Sequence, residues 1–174
     1  NITQKMAFLP PKITYDLIEI TEEGESSSVS NDKKKVNELD KKFEFKFLPE
    51  FQESAIGMDD KFIKDYFDAF YTKTKRGNKI ACLHIKSPKK NPKYTVLFSH
   101  GNAADLGMLT GFYCRLVHHL NINLFSYDYS GYGKSSGKAS EANLYSDIEA
   151  AWHALLKRYD LKSDNVILYG QSIG

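Results

Sequence analysis

The chain has 174 residues, 41% hydrophobic and 26% charged, which is typical of globular protein and enough for one domain with a core. Its formal net charge of +2 is too small to indicate nucleic acid as a partner. No apolar run approaches the roughly 18 residues that span a bilayer. The N-terminal residues are not a signal peptide, because no apolar stretch follows them. Cys82 and Cys114 are interpreted as buried, reduced thiols of an intracellular protein.

The first 42 residues divide into two segments of different composition. The sequence starts at Asn1 without an initiator methionine, and we expect its start to be cut. Met6–Pro11 is apolar and then rigid, which predicts an N-terminal arm over residues 1–20 lying against the domain or a membrane surface. Residues 21–42 are mostly Glu, Ser, Asn, Asp and Lys and cannot bury enough surface to offset their ordering entropy. We therefore expect a polar, mobile insertion there.

Three segments with strand character follow. Phe43–Phe47 alternates apolar and charged residues, and Asp65–Lys73 is rich in aromatic residues. Lys79–Ile85 comes directly after a turn signal at Arg76–Asn78. Together these segments predict an antiparallel arrangement at one edge of a sheet.

The hydrophobic pattern then changes to strands that alternate with helices. Three short apolar runs are typical of strands buried on both faces: Tyr94–Ser99, Asn123–Tyr127 and Asn165–Tyr169. Two helices are predicted between them, the first with apolar positions Phe112, Tyr113, Leu116, Val117 and Leu120, the second capped by Ser140 with Leu144, Ile148, Trp152 and Leu155. The sequence therefore predicts an α/β fold with a mostly parallel sheet and an antiparallel N-terminal edge.

The last strand candidate runs straight into Gly170-Gln171-Ser172-Ile173-Gly174. Gly-x-Ser-x-Gly directly after a strand is the nucleophile-elbow pattern, in which the serine projects from a sharp, strained turn. Gly170 and Gly174 lack a Cβ, which lets neighbouring backbone pass close to that turn. By itself the motif is a weak signal, because Gly and Ser are ordinary turn residues, and a plain turn is the alternative.

A serine enzyme that transfers acyl groups also needs two N–H donors for the oxyanion. The candidates are the backbone N–H of Ile173, directly after the serine, and that of Asn102 in an earlier strand–helix loop, with Ala103 as second choice. Gly101 gives this loop room to turn its amides. A plain turn with a structural His100 is the alternative, but the serine motif favours an oxyanion loop.

Longer stretches around these motifs resemble the α/β-hydrolase domain-containing seventeen family. They are Tyr94–Ala103, Phe125–Gly133 and Leu168–Gly174, and Lys5–Pro11 resembles the segment after that family's cysteine-rich anchor. Members of the family are membrane-anchored serine hydrolases that remove palmitate from protein cysteines. The resemblance implies that residues 43–174 are the N-terminal half of an α/β-hydrolase domain, truncated after the nucleophile elbow.

The resemblance also implies an activity and a location. We expect cleavage of long-chain acyl thioesters from palmitoylated proteins, at the cytoplasmic face of membranes to which the parent protein attaches peripherally or by a lipid anchor. Ser172 would be the nucleophile, and no metal or organic cofactor is implied. The open alternatives are a lipase or carboxylesterase, a serine peptidase of the same fold, or a non-catalytic interaction module.

In the family, the catalytic Asp and His follow the serine. All five histidines of this chain precede Ser172, and we expect a non-catalytic role for each: His84, His100, His118, His119 and His153. Asp128 is expected to hold the Gly-rich loop Ser130–Gly137 through backbone hydrogen bonds. We accordingly expect the 174 residues by themselves to be inactive and unstable.

Overall fold

The computed structural model of the chain describes residues 7–20, 41–55 and 57–174. Most of the predicted insertion, residues 21–40, lies outside the described part. The strands within it are β1 (Tyr15–Glu19), β2 (Phe43–Phe47), β3 (Phe67–Lys73), β4 (Lys79–Ile85), β5 (Thr95–Ser99), β6 (Asn123–Tyr127) and β7 (Val166–Gly170). The helices there are α1 (Asp60–Tyr66), α2 (Leu106–Leu120) and α3 (Glu141–Tyr159), with 3-10 segments at Pro49–Ala55 and Ser163–Asn165.

The described strands form one sheet in the order β1-β2-β3-β4-β6-β5-β7. Neighbours from β1 through β4 pair antiparallel, and so do β4 and β6. In contrast, β5 pairs parallel with both β6 and β7. As a result β1, β3, β5, β6 and β7 run in one direction, and β2 and β4 run in the other. The expected α/β fold with an antiparallel N-terminal edge is confirmed.

The sheet separates two apolar cores. Because neighbouring side chains of a strand point to opposite faces, Leu124 of β6 packs on the side of α2, and Phe125 packs on the side of α3. Tyr113 of α2 is fully buried in the first core, and Leu155 of α3 is fully buried in the second. Each helix therefore covers one face of the sheet at β6.

The N-terminal part of the fold differs from the sequence prediction in two places. The predicted arm ends in the strand β1, which pairs along its whole length with β2. The side chains of Tyr15 and Leu17 in this strand are buried. The predicted strand Asp65–Lys73 begins only at Phe67. The residues before it belong to α1, whose N-cap Asp59 accepts a hydrogen bond from the Phe62 N–H at 2.7 Å.

Both predicted helices are present, but the face of α2 that packs against the sheet is not the predicted apolar stripe. Thr110, Tyr113 and Val117 face the sheet, whereas the side chains of Phe112 and Leu120 are exposed. Thr110, Tyr113 and Val117 are spaced three and four residues apart and therefore lie on one face of the helix. The predicted stripe combined residues of this face with residues of the adjacent, exposed face. The cap of α3 is as predicted, since Ser140 Oγ accepts a hydrogen bond from the Asn143 N–H at 3.3 Å.

The strand β7 was predicted to be buried and is not. Leu168 is 66% exposed and Tyr169 is 52% exposed, and within the described residues β7 pairs with β5 alone. Burial of an apolar strand depends on what covers it, and among the described strands only β5 pairs with β7.

Candidate active site

The serine motif forms a tight turn at the end of β7. The Gln171 N–H donates to the Ser99 carbonyl at 3.0 Å, and the Gly174 N–H donates to the Gln171 carbonyl at 3.1 Å. Between these bonds Ser172 has φ = 60°, in the left-handed region that β-carbon-bearing residues rarely adopt. Ser172 is also exposed, so its hydroxyl is accessible on a strained turn, as the motif predicts.

Steric constraints explain the two glycines of the motif. A Cβ added to Gly170 would lie 2.6 Å from the carbonyl carbon of Gly174. A Cβ added to Gly174 would lie 2.8 Å from Ser99 Cβ on the neighbouring strand. No side chain fits at either position without moving the backbone, and the turn can keep its shape only with glycine there.

The loop after β5 packs against this turn. A Cβ added to Gly101 would lie 3.6 Å from Gln171 Cδ and 3.7 Å from the Gln171 carbonyl oxygen, so the two loops are in van der Waals contact. In the part of the chain that the structure describes, the N–H groups of Asn102 and Ile173 have no hydrogen-bond acceptor. The Ala103 N–H, in contrast, donates to Asn102 Oδ1 at 3.1 Å. The role of Asn102 and Ile173 as oxyanion donors stays a prediction that this geometry accommodates.

His100 supports the loop from the protein interior. It is fully buried, its Nδ1–H donates to the Gly101 carbonyl at 2.9 Å, and its Nε2 lies 3.1 Å from Asp128 Oδ1. The hydroxyl of Tyr129 donates to the His100 carbonyl at 2.6 Å. Because both ring nitrogens face protein oxygens inside the core, His100 is not available as a base for Ser172.

Asp128 contacts the Gly-rich loop, as predicted, and its carboxylate also joins other elements. It accepts hydrogen bonds from the Leu106 N–H at 3.0 Å and from the hydroxyl of Tyr15. Burial and the nearby Asp128 charge raise the pKa of Tyr15. The loop meets Asp128 in two ways: Ser135 Oγ donates to the Asp128 main-chain carbonyl at 2.7 Å, and a Cβ added to Gly133 would lie 2.7 Å from Asp128 Cγ, so the carboxylate packs against the loop. A carboxylate that the sequence places beside the loop is thus used mainly in the core.

Asp147 of α3 also holds the Gly-rich loop. Its carboxylate accepts from both the N–H and the hydroxyl of Ser130, each at 2.7 Å. The side chain is fully buried, which raises its pKa. The sequence analysis missed this residue, although an acidic residue next to Ile148 on the apolar face of the helix is a usable signal.

The side chain of Asn102 connects the loop to the N-terminal arm, a connection the sequence did not predict. Asn102 Oδ1 accepts from the Leu9 N–H at 2.9 Å and from the Tyr132 hydroxyl at 2.6 Å. Asn102 Nδ2 donates to the Ala7 carbonyl at 2.9 Å. Residues 7–9 of the arm thus lie directly beside the serine motif.

An apolar groove of about 610 Å³ opens between the serine motif, the arm and α3. The residues that line it include Phe8, Tyr127, Tyr129, Leu144, Ile148, Ile173 and Gly174. The buried hydroxyls of the two tyrosines have raised pKa values because burial disfavours the phenolate. The tyrosines of the groove are therefore neutral hydrogen-bonding groups.

The other histidines lie away from Ser172. His84 is buried against the ring of Tyr159, with 4.1 Å between ring centroids, and burial lowers its pKa to about 4. The remaining three are exposed on helices: His118, His119 and His153.

Within residues 7–20, 41–55 and 57–174, no His, Cys, Asp and Glu side chains cluster in a way that could hold a metal ion. No helix of that part is both long and apolar enough to cross a bilayer.

The chain has clear relatives among known proteins, although no family model matches it. It is 47% identical over 175 residues to alpha/beta hydrolase domain-containing protein 17B of Xenopus tropicalis, covering 100% of this chain and 53% of the relative. It is 46% identical to human protein 17B with the same coverage, and 44% identical to protein 17C of Xenopus tropicalis, covering 54% of it. The chain belongs to the α/β-hydrolase domain-containing 17 family. It spans about half the length of these relatives of the 17 family.

Solved structures outside the 17 family share its fold. The esterase Pf2001 of Pyrococcus furiosus matches with a TM-score of 0.51 and 21% identity, over 63% of this chain and 44% of the esterase. An α/β hydrolase of Vibrio vulnificus matches with a TM-score of 0.56 and 17% identity, over 70% of this chain and 40% of that protein. At such low identity these likenesses establish the fold and nothing more.

Proposed function

We propose that the protein is a serine hydrolase that cleaves long-chain acyl thioesters from proteins, with Ser172 as its nucleophile. The observation that carries the proposal is the strained, exposed conformation of Ser172, with φ = 60°, on a turn whose two glycines cannot be replaced without a clash. A serine in the left-handed region costs about 1 to 3 kcal/mol, and strain of this kind concentrates at functional sites. Such strain is typical of nucleophile elbows.

In the proposed reaction, Ser172 Oγ attacks the thioester carbonyl carbon, and a histidine from outside these 174 residues accepts the hydroxyl proton. The N–H groups of Ile173 and Asn102 stabilise the oxyanion, each lowering the barrier by roughly 3 kcal/mol. The cysteine sulfur leaves with the proton from the histidine, and an acyl-serine ester remains. Water then hydrolyses this ester, with the same histidine as base, and releases the fatty acid.

The thioester specificity in this proposal comes from the family resemblance, whose members remove palmitate from protein cysteines. The substrates would be palmitoylated proteins. The site of action would be the cytoplasmic face of a membrane, to which the protein attaches peripherally or by a lipid anchor. A lipase, a carboxylesterase and a peptidase would use the same turn, so substrate turnover has to separate them.

The nucleophile is tested by Ser172→Ala in the intact protein, expressed with whatever sequence flanks these residues in its gene. We expect turnover of a palmitoyl-thioester peptide to fall at least about 10³-fold, because the remaining site lacks an attacking group. Labelling by a fluorophosphonate probe should disappear as well. Ser163→Ala, at an exposed serine just before β7, is the matched control and should keep both signals.

Substrate class is tested with thioester, oxygen-ester and amide probes of equal acyl-chain length. Preferential turnover of the thioester supports the proposal, and preference for the oxygen ester or the amide would replace it with an esterase or a peptidase. Turnover that survives Ser172→Ala would refute the nucleophile. A correctly folded protein that turns over none of the probes would support the interaction module instead.

A further inference from the structure

The carboxamide of Asn102 is the meeting point of three chain segments. Its Oδ1 accepts from the Leu9 N–H, from the Tyr132 hydroxyl and from the Ala103 N–H, at 2.9, 2.6 and 3.1 Å. Its Nδ2 donates to the carbonyl of Ala7 at 2.9 Å. A surface asparagine usually exchanges such bonds with water, but here protein groups take both ends of the amide.

The arm that reaches this amide is itself held by packing. Phe8, between the two hydrogen-bonded residues, packs against the apolar core on the α3 side and lines the groove beside Ile173. The arm is therefore bound by an apolar anchor in the middle and by a main-chain hydrogen bond on either side. The hydrogen bonds to Asn102 use main-chain atoms of Ala7 and Leu9, so they do not depend on which side chains these two residues carry.

These contacts bear on the candidate oxyanion donor, because the Asn102 N–H and the carboxamide belong to the same residue. Fixing the side chain restricts the main-chain rotation that would turn the amide away from the serine turn. Oxyanion stabilisation depends strongly on donor position, and a displacement of about 1 Å can cost roughly 100-fold in rate. A bond that only stabilises the fold would have no such effect on the rate constant.

We propose that the Ala7–Leu9 arm and the carboxamide of Asn102 form a positioning clasp that holds the Asn102 N–H in place beside Ser172. This inference rests on the proposed hydrolase function. The clasp acts on the transition state and not on substrate binding, because the arm bonds to the side chain and leaves the main-chain N–H unpaired.

The decisive variant is Leu9→Pro, which removes the Leu9 N–H that donates to Asn102 Oδ1. Leu9 precedes Pro10 and is therefore already biased to extended backbone, and its side chain is 55% exposed, which makes it a suitable position for this substitution. The matched control is Leu9→Ala, which also shortens the side chain but keeps the N–H. Both are made in the intact protein and assayed with the palmitoyl-thioester peptide.

We expect Leu9→Pro to lower kcat about 10-fold relative to Leu9→Ala, with KM changed less than twofold. Tyr132→Phe removes the hydroxyl that donates to the same oxygen, and it should likewise lower kcat while KM changes less than twofold. If Leu9→Pro fails to fold, Tyr132→Phe tests the clasp in its place. Asn102→Ala should lower kcat further. Adding Leu9→Pro to Asn102→Ala should cause no additional loss, because both changes act through one amide.

Equal kcat in folded Leu9→Pro and Leu9→Ala would overturn the clasp, and so would a raised KM at unchanged kcat. Additive losses in the double variant would also overturn it. Failure of the clasp is distinguishable from failure of the proposed function. In the first case Ser172→Ala is inactive while the arm variants keep the kcat of the control. In the second case Ser172→Ala itself keeps its turnover.

Discussion

Ser172 is held in a left-handed conformation by neighbours that leave no room for a side chain at Gly170 or Gly174. The strain is local, but the contacts that maintain it are not. The Gln171 N–H bonds to Ser99 of the adjacent strand, and Gly101 lies against Gln171 from the next loop. Adding one methyl group to this turn is therefore expected to displace both the nucleophile and a candidate oxyanion donor.

We expect Gly174→Ala to lower kcat at least about 100-fold, because the added Cβ meets Ser99 Cβ at 2.8 Å and the turn must move. Gly77→Ala is the control for backbone strain alone. Gly77 has φ = 87° with no atom within 4 Å of an added Cβ, so its replacement should cost about 1 kcal/mol of stability and leave kcat unchanged. Steady-state kinetics and urea unfolding of both variants check this, and a Gly174→Ala enzyme of normal kcat would contradict it.

Among the elements, α2 is fastened to the sheet at its N-terminus. Its cap, Asp105, is fully buried and accepts from the Met108 N–H at 2.9 Å and from the N–H and the hydroxyl of Thr14 at 2.9 and 2.6 Å. Burial raises the pKa of the Asp105 carboxyl. One side chain thus caps the helix and attaches the residue that leads into β1, which fixes the helix beneath the candidate oxyanion loop.

We expect Asp105→Ala to reduce the free energy of unfolding by about 3 kcal/mol, of which roughly 1 kcal/mol is the lost cap and the rest the unpaired groups of Thr14. Asp59→Ala is the matched comparison, since Asp59 caps α1 in the same way but is exposed. Its loss should cost only about 1 kcal/mol. Urea unfolding of the intact protein measures both, and equal losses would show that the bonds to Thr14 add nothing.

Across the residues that the structure describes, the two edge strands of the sheet are unequal. The edge strand β1 carries Asp16 and Glu19, which pair with Lys134 and Lys41 at 2.9 and 2.7 Å. The opposite edge strand β7, Val166–Gly170, has no charged residue and exposes apolar side chains. Charged residues protect an edge from pairing with another chain, and only β1 has them.

We expect the 174-residue chain, expressed by itself, to self-associate through β7. Leu168→Lys, at a side chain 66% exposed, should reduce the associated fraction several-fold by placing a charge on that edge. Ile18→Lys, at a side chain 45% exposed on β1, is the control and should leave association unchanged. Light scattering coupled to gel filtration measures the mass. A monomer at high micromolar concentration, or equal effects of the two changes, would contradict this prediction.

The sequence by itself determined the elements whose signals are local. Apolar runs specified β5, β6 and β7 to within a residue or two, Ser140 specified the start of α3, and Gly-x-Ser-x-Gly specified a turn that only glycines permit. These features depend on backbone conformation and side-chain pattern within a few residues, which a single sequence contains.

Only the tertiary structure decided which distant groups meet. The bonds of Asn102 to Ala7 and Leu9 span more than 90 residues, and those of Asp128 and Asp147 join separate elements. The exposure of Leu168 was likewise not predictable, because the same apolar run is buried or bare according to what packs on it. Polar partners and burial depend on which elements are adjacent in space, and that adjacency is a property of the folded chain alone.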